Sequence, residues 1–325
     1  MFDRRALLAA SGLLLLFAVV PGALTLLDQS YLFRLAELTM LFVILAGSLN
    51  LVTGTAGLVS LGHAAFYAIG AYTAAIVAAR SGAGLELTLP ASVLVAGLVA
   101  FAVALPAIRL VRIFFTVATL SVGEIINLIV LNWDGLTRGP MGMRGIPEPS
   151  LLGLRLGGRL ATFYTVAAVT ALVLLVLYRL THSPYGTALR AMREDEQSAQ
   201  GMGLSTVWLK VGAFAISGGL AGAAGCLLAH TTGYISPDMF GLDQSILILT
   251  MVVVGGLGSL PGAVVGATLL ILVPELARSA GHLRTVLVGL VLYLSILLLP
   301  KGLLGEAWAL RLFSPRAALR KIRSS

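Results

Sequence analysis

Apolar residues in this chain come in long runs, not in the alternation of a half-buried strand. Runs of roughly twenty residues recur, each closed by Gly, Pro or charge. They predict ten spans, at residues 6–27, 32–52, 58–79, 89–108, 113–132, 160–180, 207–230, 242–257, 262–278 and 284–300. Glycine and proline interrupt the third span and the eighth and ninth. Backbone groups surrounded by lipid must pair internally, so spans of this length are helices. The two-residue alternation of a transmembrane barrel is absent. The expected fold is all-α: a polytopic membrane protein of about ten transmembrane helices with a short helix outside the bilayer.

Composition sharpens this reading. Of 325 residues 58% are hydrophobic and 11% charged, and the mean hydropathy is +0.98. A soluble domain cannot build its surface from such a chain. The basic start and apolar run of residues 1–27 resemble a signal peptide. The length of the run, the lack of a clear cleavage site and the later spans make it a retained first helix.

The net charge of +8 does not indicate nucleic acid, because basic residues sit in short inter-span segments and the tail. With ten spans, one side carries 14 Lys and Arg and the other 8. The positive-inside rule then puts both termini and the segment near 181–206 in the cytoplasm, with the loop 133–159 outside. A transmembrane domain of residues 1–300 is followed by a basic tail, 301–325. Cys226 cannot form an intrachain disulfide, and the four scattered histidines have no metal-ligand spacing. The three lysines do not follow glycine, so no nucleotide-binding loop of the G-x-x-x-x-G-K-[ST] kind exists. No hydrolase or metalloprotease motif occurs, and no cofactor is expected.

Three features carry candidate chemistry. The first is ALRAMREDEQSAQGMGL, residues 188–204, a dense charge cluster in a greasy chain. Arg190 and Glu194 are spaced for an i,i+4 pair, and Arg193 lies within a turn of Glu196 and Gln197. Leu189, Met192, Ala199 and Met202 fall on one face, and Gly201 and Gly203 end the pattern. An amphipathic helix between two spans suits docking to a soluble partner, or is simply a solvated helical loop.

The second is glycine. Gly54, Gly57, Gly62 and Gly70 punctuate residues 49–72, and Gly258, Gly262 and Gly266 recur at four-residue spacing. Such spacing lets helix backbones touch. Combined with Pro261 and the polar Asn50, Thr53 and Ser60, it also fits broken helices lining a pathway. GLVSLG and GLGSLPG look alike, which suggests an internal repeat. The third is Glu124, mid-span with Thr116, Thr119 and Asn127 on the same side. An ionisable group at that depth faces the bundle interior or water, as a pathway residue or in an inter-helix hydrogen bond.

LNLVTGTAGLVSLGHAAFYAIGAYTAA, FTVATLSVGEIINLIVLN, the segment around RAMREDEQSAQGMGL and MVVVGGLGSLPGAVVGA together resemble the permease subunits of branched-chain amino acid ABC transporters. Order and spacing are closer to the LivM type than to its LivH partner, over roughly residues 35–300. The resemblance implies a bacterial inner-membrane transport subunit without enzymatic activity of its own. It implies two partner ATPases, a second related permease, a periplasmic or extracellular substrate-binding protein and a small-molecule solute. Segment 188–204 then takes the place of the coupling helix, with Arg190, Arg193, Glu194, Glu196, Ala199 and Gly203 matching the pattern. One departure is Arg138, in LTRGPMGMRG, where the family often has glycine. Urea and short-chain amide importers share the architecture, and an ion-coupled carrier acting alone is the alternative of another class, against which the missing relay of acids counts.

Overall fold

The computed structural model describes residues 30–107, 112–151, 154–155, 158–276, 289 and 302–304. The predicted spans 6–27 and 284–300 lie outside the described residues. The other eight each coincide with a helix: α1 (Ser30–Asn50), α2 (His63–Ser81), α3 (Leu85–Ala107), α4 (Arg112–Asn132), α5 (Arg159–Thr181), α8 (Thr206–Thr232), α9 (Leu242–Gly255) and α10 (Leu260–Leu276). Between α5 and α8 lie the shorter α6 (Pro184–Glu194) and α7 (Glu196–Gly201).

Among the described residues six segments are long and apolar enough to cross a membrane. Helix α2 is less apolar because it carries His63, Tyr67, Tyr72 and Arg80, and α10 has only 17 residues. The described residues therefore do not reach the count of about ten. The third span also starts later than predicted. Residues 56–62 are non-helical, and α2 opens at His63 instead of residue 58.

Helix α8 is the axis of the bundle, packed between α2 and α3. Its glycines make that possible. A Cβ on Gly225 would lie 2.2 Å from the Tyr67 carbonyl oxygen of α2, and one on Gly222 would lie 2.6 Å from the Ser92 carbonyl oxygen of α3. Lipid supplies no hydrophobic drive between helices, so this close backbone approach is what holds them. Phe66 and Phe214 close the α2–α8 seam edge to face, 5.4 Å apart. The α9–α10 hairpin repeats the device, with a Cβ on Gly262 falling 2.6 Å from the Gly255 carbonyl oxygen.

At one end of the bundle, short strands β1 (Met143–Arg144) and β4 (Tyr234–Ile235) pair antiparallel, as do β2 (Ser150–Leu151) and β3 (Leu154–Arg155). His230 at the end of α8 ties this layer down, its Nδ1 donating to the Pro147 carbonyl at 2.8 Å. The charged segment α6–α7 occupies the opposite end. Residues 302–304 lie there too: Leu303 and Leu304 donate to the Val254 and Gly255 carbonyls at the end of α9, both at 2.9 Å.

Candidate functional site: the charged segment and the broken helices beneath it

The charged segment is two helices, where the sequence suggested one. Pro184 opens α6 at a position that needs no N–H donor, and the Ser183 hydroxyl oxygen accepts from Gly186 N at 3.3 Å. Asp195 breaks the run, its backbone extended at φ −150° and ψ 110°. Its carboxylate then caps α7, accepting from Gln197 N at 2.9 Å, Ser198 N at 3.2 Å and the Ser198 hydroxyl at 2.8 Å. The Ser198 hydroxyl, with these amides, holds the Asp195 carboxyl below the usual carboxylate range. The capped form is thus complete at neutral pH, and its contribution fades only as pH falls through that lowered value.

Leu189, Met192 and Ala199 are buried, as their common face suggested, but Met202 lies beyond α7 and is 71% exposed. The expected Arg190–Glu194 pair does not form. Arg190 donates to the Thr181 carbonyl at 2.8 Å and to the Thr187 hydroxyl at 3.3 Å, while Glu194 is exposed. Arg190 thereby takes up an otherwise orphaned carbonyl at the end of α5. Glu196 pairs with Lys210 at the start of α8, Oε1 to Nζ 2.5 Å, and not with Arg193. Gly203 has φ +84° and reverses the chain into α8.

Arg193 turns inward. Its guanidinium donates to the Gly54 carbonyl, and its stem lies where a Cβ on Gly57 would fall, 2.8 Å from Cγ. Gly54 belongs to a π-helical turn, Leu51–Thr55, that continues α1 and frees backbone groups from the regular ladder. Thr53 donates to the Leu58 carbonyl at 3.2 Å. Asn50 Oδ1 accepts from Gly258 N at 2.9 Å. Gly258, at φ +84°, sits in the turn between α9 and α10. It is a turn glycine, not a packing glycine inside a helix, whereas Gly262 does pack against Gly255. Pro261 is exposed at the second position of α10.

The π-helical break after α1 therefore meets the second of the two look-alike stretches. A Cβ on Gly54 would lie 2.2 Å from Gly258 N, so both breaks must be bare for the contact to exist. Arg193, Gly54, Asn50 and Gly258 form one continuous connection from the charged segment into α1, α9 and α10.

The remaining candidates lie farther in. Ser60 is 1% exposed and its hydroxyl has no hydrogen-bond partner among the described residues. Its neighbours Val59 and Leu61 are held to α4, through Thr116 Oγ1 donating to Val59 O at 3.0 Å and Leu61 N donating to Thr119 Oγ1 at 3.2 Å. Glu124 and Asn127 are half-buried on α4, the least buried candidate span.

The family description "branched-chain amino acid transport system / permease component" matches residues 31–299. The chain belongs to this permease family. Similar proteins include the high-affinity branched-chain amino acid permease LivM of Salmonella typhimurium, 36% identical over 83% of this chain and 69% of that protein. LivM of Escherichia coli is 37% identical over the same shares. LivH of Salmonella typhimurium is 29% identical over 82% of this chain and 91% of its own length. No solved structure matches. Family membership and the apolar helices together make the chain a multi-pass inner-membrane transport subunit.

Several residues that build this permease site escaped the sequence reading. Lys210 counted only as a topology charge. Asp195 was one acid in a cluster, although an Asp followed by Glu-Gln-Ser is a legible helix start. Tyr185, which donates to the Leu209 carbonyl at 2.8 Å and is pushed up to about 12 by burial, locks α6 onto α8. No sequence spacing would reveal it.

Proposed function

We propose that this permease forms half of the translocation pathway of an ATP-driven importer for branched-chain amino acids. Its full complement is about ten transmembrane helices with both termini in the cytoplasm. One of two ATPase subunits docks on α6–α7, a second related permease engages the other and completes the pathway, and a binding protein delivers solute to the opposite face. The branched-chain solute is carried over from the names of LivM and LivH.

The observation that supports the coupling role best is the contact of Arg193 with Gly54. A docking segment must move something when its partner moves. Here one guanidinium joins the segment to a π-helical break in α1, and Asn50 joins that break to the turn between α9 and α10. Glu194, Gln197 and Ser198 remain exposed on the outer side, where a soluble subunit would sit. Glu196 and Lys210 fix the segment to α8.

The test is reconstitution of the complete complex in proteoliposomes, with leucine uptake and ATP hydrolysis measured together. Arg190→Glu with Arg193→Glu should leave insertion and complex assembly intact and cut leucine moved per ATP hydrolysed at least tenfold. Unchanged coupling would remove α6–α7 from the mechanism. Uptake of urea in place of leucine by the wild-type complex would overturn the solute.

A further inference from the structure

Helix α2 starts inside the bundle without a side-chain cap of its own. Gly62, which precedes it, has no side chain to offer. Nor is there room for one, since a Cβ there would stand 2.2 Å from the Thr119 carbonyl oxygen of α4. The first N–H groups of a helix have no partner within it. Ala64 is the second residue of α2, a position that an N-cap side chain ordinarily serves. Here another helix serves it. Ser245 Oγ, in the first turn of α9, accepts from Ala64 N at 3.1 Å, from 181 residues along the chain. Both residues are buried.

The far end of α9 is held at the broken helix. Gly258 N, in the turn that follows it, donates to Asn50 Oδ1 at 2.9 Å. Asn50 ends α1, immediately before the π-helical turn whose Gly54 carbonyl takes the Arg193 guanidinium. Leu303 and Leu304 occupy the Val254 and Gly255 carbonyls, so this end of α9 is secured as well. Helix α9 thus grips both sides of one interruption, at Asn50 before it and at Ala64 after it.

The backbone between those sides is soft. It runs through the π-helical turn and the non-helical residues 56–62, with Gly57 at φ +74°. Irregular backbone of this kind absorbs displacement in its dihedral angles. Helix α9 has no glycine or proline from Leu242 to Val254, and Ile248, Met251 and Val252 are buried. From Ser245 to Gly255 it is a rod of about 15 Å. Ser48 Oγ and His63 Nε2 also join α1 to α2, at 2.9 Å. That contact holds α2 by a side chain with rotatable bonds, whereas Ser245 and Asn50 hold backbone N–H groups.

We propose that α9 carries displacement from the charged segment to the start of α2, with Ser245 as the positioning residue at its far end. Movement of Arg193 passes through the π-helical turn and Asn50 to Gly258, along α9, and by Ser245 to Ala64. This assignment rests on the importer reading above and adds the element that connects docking to the broken helix α2.

The experiment is a double-mutant cycle on the complete transporter in proteoliposomes, read as leucine moved per ATP hydrolysed. Ser245→Ala removes the acceptor at one end of the rod. Asn50→Leu removes it at the other and keeps the branching of the side chain. Each alone should lower the ratio about fivefold or more. Substitutions this far apart, with no shared partner, ordinarily multiply their losses. On one rod either cut already disconnects it, so the double variant should lose no more than the worse single. A double loss equal to the product of the singles would overturn the rod. Parent-like coupling in Ser245→Ala would do the same and pass the role to Ser48 and His63. Hydrogen exchange supplies a readout that needs no transport: in Ser245→Ala the distant Gly258 amide should exchange faster than in the parent, and an unchanged rate counts against the rod. A wild-type complex that moves no leucine refutes the importer reading and leaves the exchange test of α9 standing.

Discussion

Helices α8 and α4 are nearly equal in hydropathy, yet they occupy opposite environments. Over their most apolar windows α8 averages 1.8 and is 78% buried, while α4 averages 2.0 and is 17% buried. Greasiness does not decide which helix is inside, because lipid and protein interior are equally apolar. Small residues do. Helix α8 carries Gly212, Gly218, Gly219, Gly222 and Gly225, and three of these meet the backbone of α2 or α3 within 3 Å of where a Cβ would stand. Helix α4 has Gly123 alone, where a Cβ would stand 3.2 Å from the Gly62 Cα in the loop before α2, and it presents Phe114, Val117, Ile125 and Leu128 outward.

The largest effect expected from this contrast is at Gly225. Leucine there would force a side chain into the Tyr67 carbonyl and the Ala71 amide. Backbone cannot yield as a flexible side chain can, so Gly225→Leu should cost about 3 kcal/mol or more and abolish recovery of monodisperse protein after detergent extraction. Normal recovery would mean that α8 is not the axis of the bundle.

A smaller loss is expected at Phe214, which is 2% exposed and meets Phe66 and Phe115 edge to face. Phe→Ala in a soluble core costs about 3–5 kcal/mol, part of it transfer from water. In a bilayer the unfolded reference is itself apolar, so the transfer part falls away and the cavity and lost ring contacts remain. Phe214→Ala should cost about 2–3 kcal/mol, read as a lowered midpoint in a denaturing-detergent titration. A cost below about 1 kcal/mol would show that the α2–α8 seam repacks around the missing ring.

The same contrast explains what the sequence could and could not disclose. Positions of helices and bareness of the glycine stretches follow from local pattern, and eight predicted spans coincide with helices. The third start was misplaced because residues 58–62 are apolar enough to read as helix, yet their backbone is drawn out to α4 through Val59 and Leu61. Within the candidate site the charge cluster was visible, but the direction of its charges was not. Arg193 and Gly54 are 139 residues apart, and no i,i+4 rule reaches that far. Gly258 read as a packing glycine because spacing cannot distinguish a helix from the turn that precedes it.

The finest test pairs two adjacent phenylalanines on α4. Phe115 is 1% exposed and packs on Phe214 at 5.6 Å, whereas Phe114 is 63% exposed. One residue around the helix turns a ring by about 100°, from the bundle to its outside. Phe114→Ala removes a ring that already faces an apolar surround, so neither cavity nor transfer term applies, and the cost to the isolated chain should stay below about 0.5 kcal/mol. Lipid alone against that face predicts the same small cost in the assembled complex. A second permease seated on α4 predicts that Phe114→Ala leaves the isolated chain untouched while weakening co-purification of the partner. Comparing the variant alone and in complex therefore shows whether the low burial of α4 marks a lipid face or an interface awaiting its other half.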